Sequence, residues 1–96
     1  MKVRNMTSSR GNKIAKQFII KGNGSITGTP FETFQSYDSV IATKAFTDEG
    51  IIGTLDSNYW DYSVTTGKYR NQFLGETKAA TQAKIDSGEY ILADLN

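Results

Sequence analysis

Hydrophobic and polar positions alternate along Gln17–Lys21, where Phe18 and Ile20 flank Ile19, and this β-branched and aromatic run reads as a strand. Phe31–Tyr37 alternates in the same way, and Ser39–Thr43, with Val40 and Ile41, makes a third strand. Asp38-Ser39 supplies a turn or bulge between those two. Thr47-Asp48-Glu49-Gly50 is a compact turn signal, and Ile51–Leu55 follows it as a fourth strand. Thr77–Ser87 has helical character: Thr77 can cap it, Ala79, Ala80, Gln82, Ala83 and Lys84 are good helix formers, and Gly88 ends it. Glu89–Ala93 returns to alternation, with Tyr90 and Leu92 on one side and Ile91 and Ala93 on the other.

Tyr59–Gly75 fits two patterns. As a helix it has Ser63 as N-cap, Tyr62, Tyr69 and Phe73 on one face, and Gly75 as the stop. As a hairpin it turns at Thr66-Gly67 and alternates Tyr69 and Phe73 against Lys68 and Arg70. The helix is favoured because both terminal signals agree with the Tyr69/Phe73 spacing, although Val64, Thr65 and Thr66 prefer strand and Gly67 costs a helix about 1 kcal/mol.

Strands first and helices late, joined by turns too short for early crossovers, predict an α+β fold. Its core element is a small antiparallel sheet of about four to five strands, with one or two helices of the C-terminal half packed on one face. At 96 residues and 10.6 kDa the chain has material for one core. Residues 1–12 are polar, basic and unpatterned, and read as a flexible N-terminal arm with at most a short edge strand at Lys2–Asn5; residues 13–96 form the domain.

Charge changes this picture more than composition does. The formal net charge is +1, yet residues 1–30 hold six cations (Lys2, Arg4, Arg10, Lys13, Lys16 and Lys21) and no acid. The remaining residues set five cations against all ten acids, so a basic segment is joined to an acidic body. Such an arm either neutralises its own body or a neighbouring copy's, or it meets an acidic partner.

The chemistry that is missing narrows the function. Cysteine and histidine are absent, which removes disulfides, thiol nucleophiles, zinc-finger ligation and every His-dependent triad. Gly22-Asn23-Gly24-Ser25-Ile26-Thr27-Gly28 has the wrong spacing for a phosphate cradle and is followed by Thr29-Pro30 rather than a helix, so it reads as a hairpin connection. Asp56-Ser57-Asn58 resembles the start of a calcium loop, but Trp60 and Asp61 stand where an oxygen ligand and glycine belong. No nucleophile elbow or Ser-x-x-Lys motif occurs. These gaps lead to the expectation that the protein is not an enzyme and carries no cofactor or metal. The first ten residues lack an apolar core for a signal peptide, and no run approaches a membrane span, so a cytoplasmic location without membrane contact is expected.

Two segments remain as candidate contact surfaces. Tyr59-Trp60-Asp61-Tyr62, Lys68-Tyr69-Arg70 and Phe73 concentrate aromatic and cationic side chains. Trp60 and Phe73 are read as core, because a small core depends on its large side chains, and Tyr62, Lys68 and Arg70 as partner-binding residues on the surface. The basic segment contributes Arg4, Arg10, Lys13 and Lys16.

Phe34-Gln35-Ser36-Tyr37-Asp38-Ser39-Val40-Ile41-Ala42, Tyr59-Trp60-Asp61-Tyr62-Ser63, Phe73-Leu74-Gly75-Glu76 and Ser87-Gly88-Glu89-Tyr90 resemble blocks of a family of small uncharacterised proteins of bacteriophages and related mobile elements. The resemblance covers the chain from about Gly11 onward and implies a phage setting. That family has no established activity, so it transfers no functional residue. The expectation that follows is a phage accessory protein that binds a host or phage protein, for instance to inhibit a host defence. Single-stranded nucleic acid is the alternative partner, engaged by the same aromatics and cations.

Overall fold

A computed structural model describes residues 2–8, 10–23 and 29–96. It contains one six-stranded sheet in the order β1-β2-β3-β4-β5-β6. The strands are β1 (Lys2–Thr7), β2 (Lys13–Asn23), β3 (Pro30–Ser36), β4 (Ser39–Thr47), β5 (Gly50–Asp56) and β6 (Tyr90–Ala93). The first five form an antiparallel meander, while β6 lies parallel to β5. Helices α1 (Val64–Leu74) and α2 (Lys78–Asp86) carry the chain between them. The fold is the expected α+β arrangement, with more strands than four or five.

The segment read as a flexible arm is a sheet edge. β1 pairs with β2 from Lys2↔Lys21 to Thr7↔Lys13, extending beyond the short strand expected at Lys2–Asn5. Its polar sequence hid it: only Met6 is buried, and the other residues need nothing from the core. Edge cations such as Lys2 and Arg4 also discourage pairing with foreign strands. Opposite Met6 the β2 strand bulges over Ile14–Gln17, with Lys16 at φ 67° and the Asn5 amide donating to the Ile14 carbonyl. Of the Gly22–Gly28 connection, Gly24–Gly28 lies outside the described residues; Gly22 and Asn23 end β2.

The register assigns each strand position to a face, because directly opposed residues point the same way. Ile19, Phe34, Ala42 and Leu55 line up on the face that carries the helices. A bulge in β4 adds Ile41 beside Ala42, and both are fully buried. α1 settles here: Phe73 meets Phe34 with ring centroids 5.8 Å apart, and the Thr66 and Ser36 hydroxyls bond at 2.9 Å. On the same face, at the β5–β6 edge, the Tyr90 ring leans over Gly53, where an added Cβ would stand 2.7 Å from the ring. Only glycine leaves room for that approach.

The helix ends follow the sequence signals. The Ser63 hydroxyl accepts from Thr66 N–H, and Gly75 closes α1 at φ 70°. Thr77 caps α2 by accepting from Ala80 N–H. Glu76, between the helices, accepts from the Thr81 hydroxyl at 2.6 Å, Lys84 Nζ at 2.7 Å and the Tyr90 hydroxyl at 2.9 Å, so one carboxylate ties the inter-helix turn and α2 to β6. Burial pushes Glu76 up, but Lys84, Thr81 and Tyr90 together outweigh it and leave the carboxyl below its usual range.

Candidate functional site

α1 presents one face to the sheet through Thr66, Tyr69, Arg70 and Phe73, the i, i+3, i+4, i+7 positions of a buried stripe. Arg70 therefore belongs to the interior, with 1% of its surface exposed, and is not the surface contact expected of it. Its Nη1 donates to the Trp60 carbonyl at 2.7 Å and to Asp61 at 3.2 Å, and its Nη2 donates to Asn71 at 3.0 Å. The guanidinium also stacks 5.2 Å from the Trp60 ring. A buried charge must be paired, and Arg70 is held by the loop that precedes its own helix. The stripe spacing carried the signal: Arg70 falls one turn from Thr66 and almost one turn from Phe73. As expected, Phe73 is buried and Trp60 packs against the core.

Asp61 completes this cluster by binding Lys78 Nζ at 2.7 Å. The Lys78 hydrogen bond, helped by Arg70, holds the Asp61 carboxyl below its ordinary value against the opposing effect of burial. Above the cluster lies an open groove of about 800 Å³, walled by Tyr62, Ser63, Val64, Lys68 and Lys78. Tyr62 and Lys68 are thus exposed where a partner can reach them, and Tyr62 meets Tyr59 edge-on at 5.5 Å. Lys68 lies 5.5 Å from the Tyr69 ring.

Arg4, Arg10, Lys13 and Lys16 all lie on the β1–β2 hairpin and are exposed. The hairpin is not remote from α1, since Gln72, one turn beyond Lys68, donates to the Thr7 carbonyl at 3.0 Å. The hairpin therefore meets α1 one turn from Lys68. Among the described residues, ion pairs engage Lys21 and Lys44 with Glu32, Arg70 and Lys78 with Asp61, and Lys84 with Glu76 and Glu89. Lys2, Arg4, Arg10, Lys13, Lys16 and Lys68 make no such pair. Among the described residues, Lys21 is the one of the six N-terminal cations in a close ion pair with an acid.

A family model matches residues 1–89, which takes in the hairpin, both helices and the groove. The chain belongs to DUF8033, a family of unknown function. The match starts at residue 1, so the DUF8033 domain includes the basic segment. No curated protein and no solved structure matches the chain.

Asp56, the start of the loop compared with a calcium site, is fully buried and accepts from the N–H groups of Asn58, Tyr59 and Leu95. Burial pushes its carboxyl up, yet these bonds and the Asn96 side chain outweigh that and leave it lowered. It is the lock of a polar turn that also fastens the C-terminal residues. Among the described residues no cluster of acids is arranged to hold a metal, and no helix is long and apolar enough to cross a membrane.

Proposed function

We propose that this DUF8033 protein is a non-enzymatic binding protein whose β1–β2 hairpin and α1 face engage an acidic surface on a macromolecular partner. One observation carries the reading: the cations free of carboxylate contact among the described residues are the five on the hairpin together with Lys68 beside it. A cluster of unneutralised charge raises the free protein's electrostatic energy and speeds encounter with an oppositely charged surface. Tyr62, exposed on the groove wall, adds an amphipathic anchor of the kind that concentrates binding energy. The resemblance to phage and mobile-element proteins supports a host or phage protein as partner, in the cytoplasm of an infected cell, with inhibition of a host defence as the role.

Capture from bacterial lysate with wild-type protein and with the variant Arg10→Glu/Lys13→Glu/Lys16→Glu/Lys68→Glu tests this. The proposal predicts a specific acidic protein on the wild type and its loss from the variant. Equal recovery by both, or no specific recovery by the wild type, contradicts it. The exposed Tyr59–Tyr62 pair favours a second reading, single-stranded nucleic acid stacked on aromatic faces. Binding to a labelled oligonucleotide that falls steeply between about 50 and 200 mM salt would move the assignment to nucleic acid.

A further inference from the structure

Beside its buried stripe α1 carries a second one. Val64, Gly67, Lys68 and Asn71 fall at i, i+3, i+4 and i+7, and all four line the open groove together with Tyr62 and Lys78. Gly67 is the anomaly of this stripe. Its φ is not positive, and a Cβ added to it would stand 3.6 Å from Arg70 Nη1 and Nη2, an ordinary contact. Neither backbone nor space demands glycine, although glycine costs a helix interior about 1 kcal/mol relative to alanine. Gly67 is buried yet lines the groove, so its missing side chain deepens the floor into a recess against the Arg70 guanidinium.

Three cations and one acid line the groove around that recess. Asp61 is held by Arg70 at 3.2 Å and by Lys78 at 2.7 Å, so its charge is already answered. Lys68 has no ion pair among the described residues, and Arg70 Nε has no hydrogen-bond partner among them. The Lys78 ammonium keeps donors beyond the one that Asp61 takes. The field over Gly67 therefore favours a carboxylate. Beside it Val64 is 92% exposed and Tyr62 46% exposed, an apolar rim open to solvent. A small molecule needs most of its surface enclosed, which an open groove does not offer.

We infer that this groove takes a short acidic peptide segment of the partner. One Asp or Glu carboxylate sits over Gly67 between Lys68 and Lys78, and a neighbouring apolar or aromatic side chain lies on Val64 and Tyr62. The inference rests on the acidic-partner reading above and names where one of its contacts is made. Arg70 supplies charge at the recess while keeping its bonds to Trp60 and Asp61, so the fold holds the site ready before the ligand arrives. Glycine at position 67 lowers helix stability and opens the seat.

Selection of short random peptides on the immobilised full chain, followed by amide NMR titration with the selected peptide, tests the inference. Selected sequences should share an Asp or Glu next to an apolar or aromatic residue, and should shift the amides of Gly67, Lys68 and Asn71. Gly67→Ala should melt no lower than wild type yet bind the peptide about threefold or more weakly. A glycine with only a structural role would not separate the two. Lys68→Glu, at an exposed position, should weaken binding about tenfold or more with an unchanged circular dichroism spectrum. Selection of no acidic sequence, wild-type binding by both variants, or shifts confined to the hairpin overturns the inference. So do larger shifts at these amides from a single-stranded oligonucleotide, or the same shifts on concentrating the chain alone. Capture from lysate separates this site from the broader reading. A partner lost from Arg10→Glu/Lys13→Glu/Lys16→Glu but kept by Gly67→Ala and Lys68→Glu overturns the groove alone. Peptide bound in the groove with no partner captured supports the groove and overturns the partner reading.

Discussion

Arg70 and Arg10 carry the same guanidinium, yet one is a structural part of the domain and the other is available to a partner. Arg70 sits on the buried stripe of α1, and every polar contact it makes comes from residues within ten positions along the chain. Arg10 sits at a hairpin tip, exposed and without a carboxylate, as do Lys13 and Lys16. The same division separates Lys78 and Lys84, which serve Asp61 and Glu76, from Lys68, which serves neither. Charge type does not tell these groups apart; their position relative to the sheet does. On the helical layer Arg70, Lys78 and Lys84 reach Asp61 or Glu76, whereas exposed Lys68 reaches neither, and the hairpin has no acid of its own.

Removing Arg70 should separate the two groups most sharply. Arg70→Met keeps the stem and deletes the charge, leaving the Trp60 carbonyl without its donor, and should cost about 2–4 kcal/mol in a denaturant melt. Arg10→Met should stay within about 0.5 kcal/mol of wild type. A similar loss for both would end the distinction. The second paired cluster can be broken without touching a charge: Gly53→Ala pushes the Tyr90 ring, 2.7 Å from the new Cβ, away from Glu76. Overpacking of that kind should cost about 1–3 kcal/mol, and Gly53→Ser should behave alike.

Acid gives a smaller, graded effect. Asp56, Asp61 and Glu76 all titrate below their ordinary values. The folded state therefore holds its protons less tightly than the unfolded chain, and the stability this provides is complete above the ordinary carboxylate range. It should drain away as pH falls through the lowered folded-state values. A melting temperature that is flat from neutral pH into that acid range would mean that these carboxylates are not engaged. Least of all should stability respond to Arg10→Ala/Lys13→Ala/Lys16→Ala, which is expected to leave the melt within about 0.5 kcal/mol while weakening partner binding.

Much of this division was written in local signals. Ser63, Gly75, Thr77 and Gly88 marked the helices, because caps act through neighbouring backbone groups and need no tertiary context. The strands of the meander showed their alternation for the same reason. β1 did not, since an edge strand with one buried residue has almost no pattern to display. Tyr37 turns the β3–β4 hairpin at φ 55°, a conformation glycine normally supplies, so the residue type gave no warning. Gln17 is fully buried, with its side-chain amide unpaired among the described residues; no sequence pattern distinguishes it from an exposed strand glutamine. At the site, Tyr62 and Lys68 were legible as exposed groups. Arg70 was misplaced because its charge outweighed its spacing, and the closeness of the hairpin to Lys68 is a tertiary fact.

The central claim is that partnered and unpartnered cations have different roles, and lysine labelling in lysate tests it directly. Each lysine's reactivity toward an acylating reagent would be compared between purified protein in buffer and the same protein in bacterial lysate. The account predicts that Lys13, Lys16 and Lys68 are reactive in buffer and protected in lysate, while Lys44 and Lys84 change little. Unchanged reactivity of the hairpin lysines, or protection confined to Lys44 and Lys84, would contradict it.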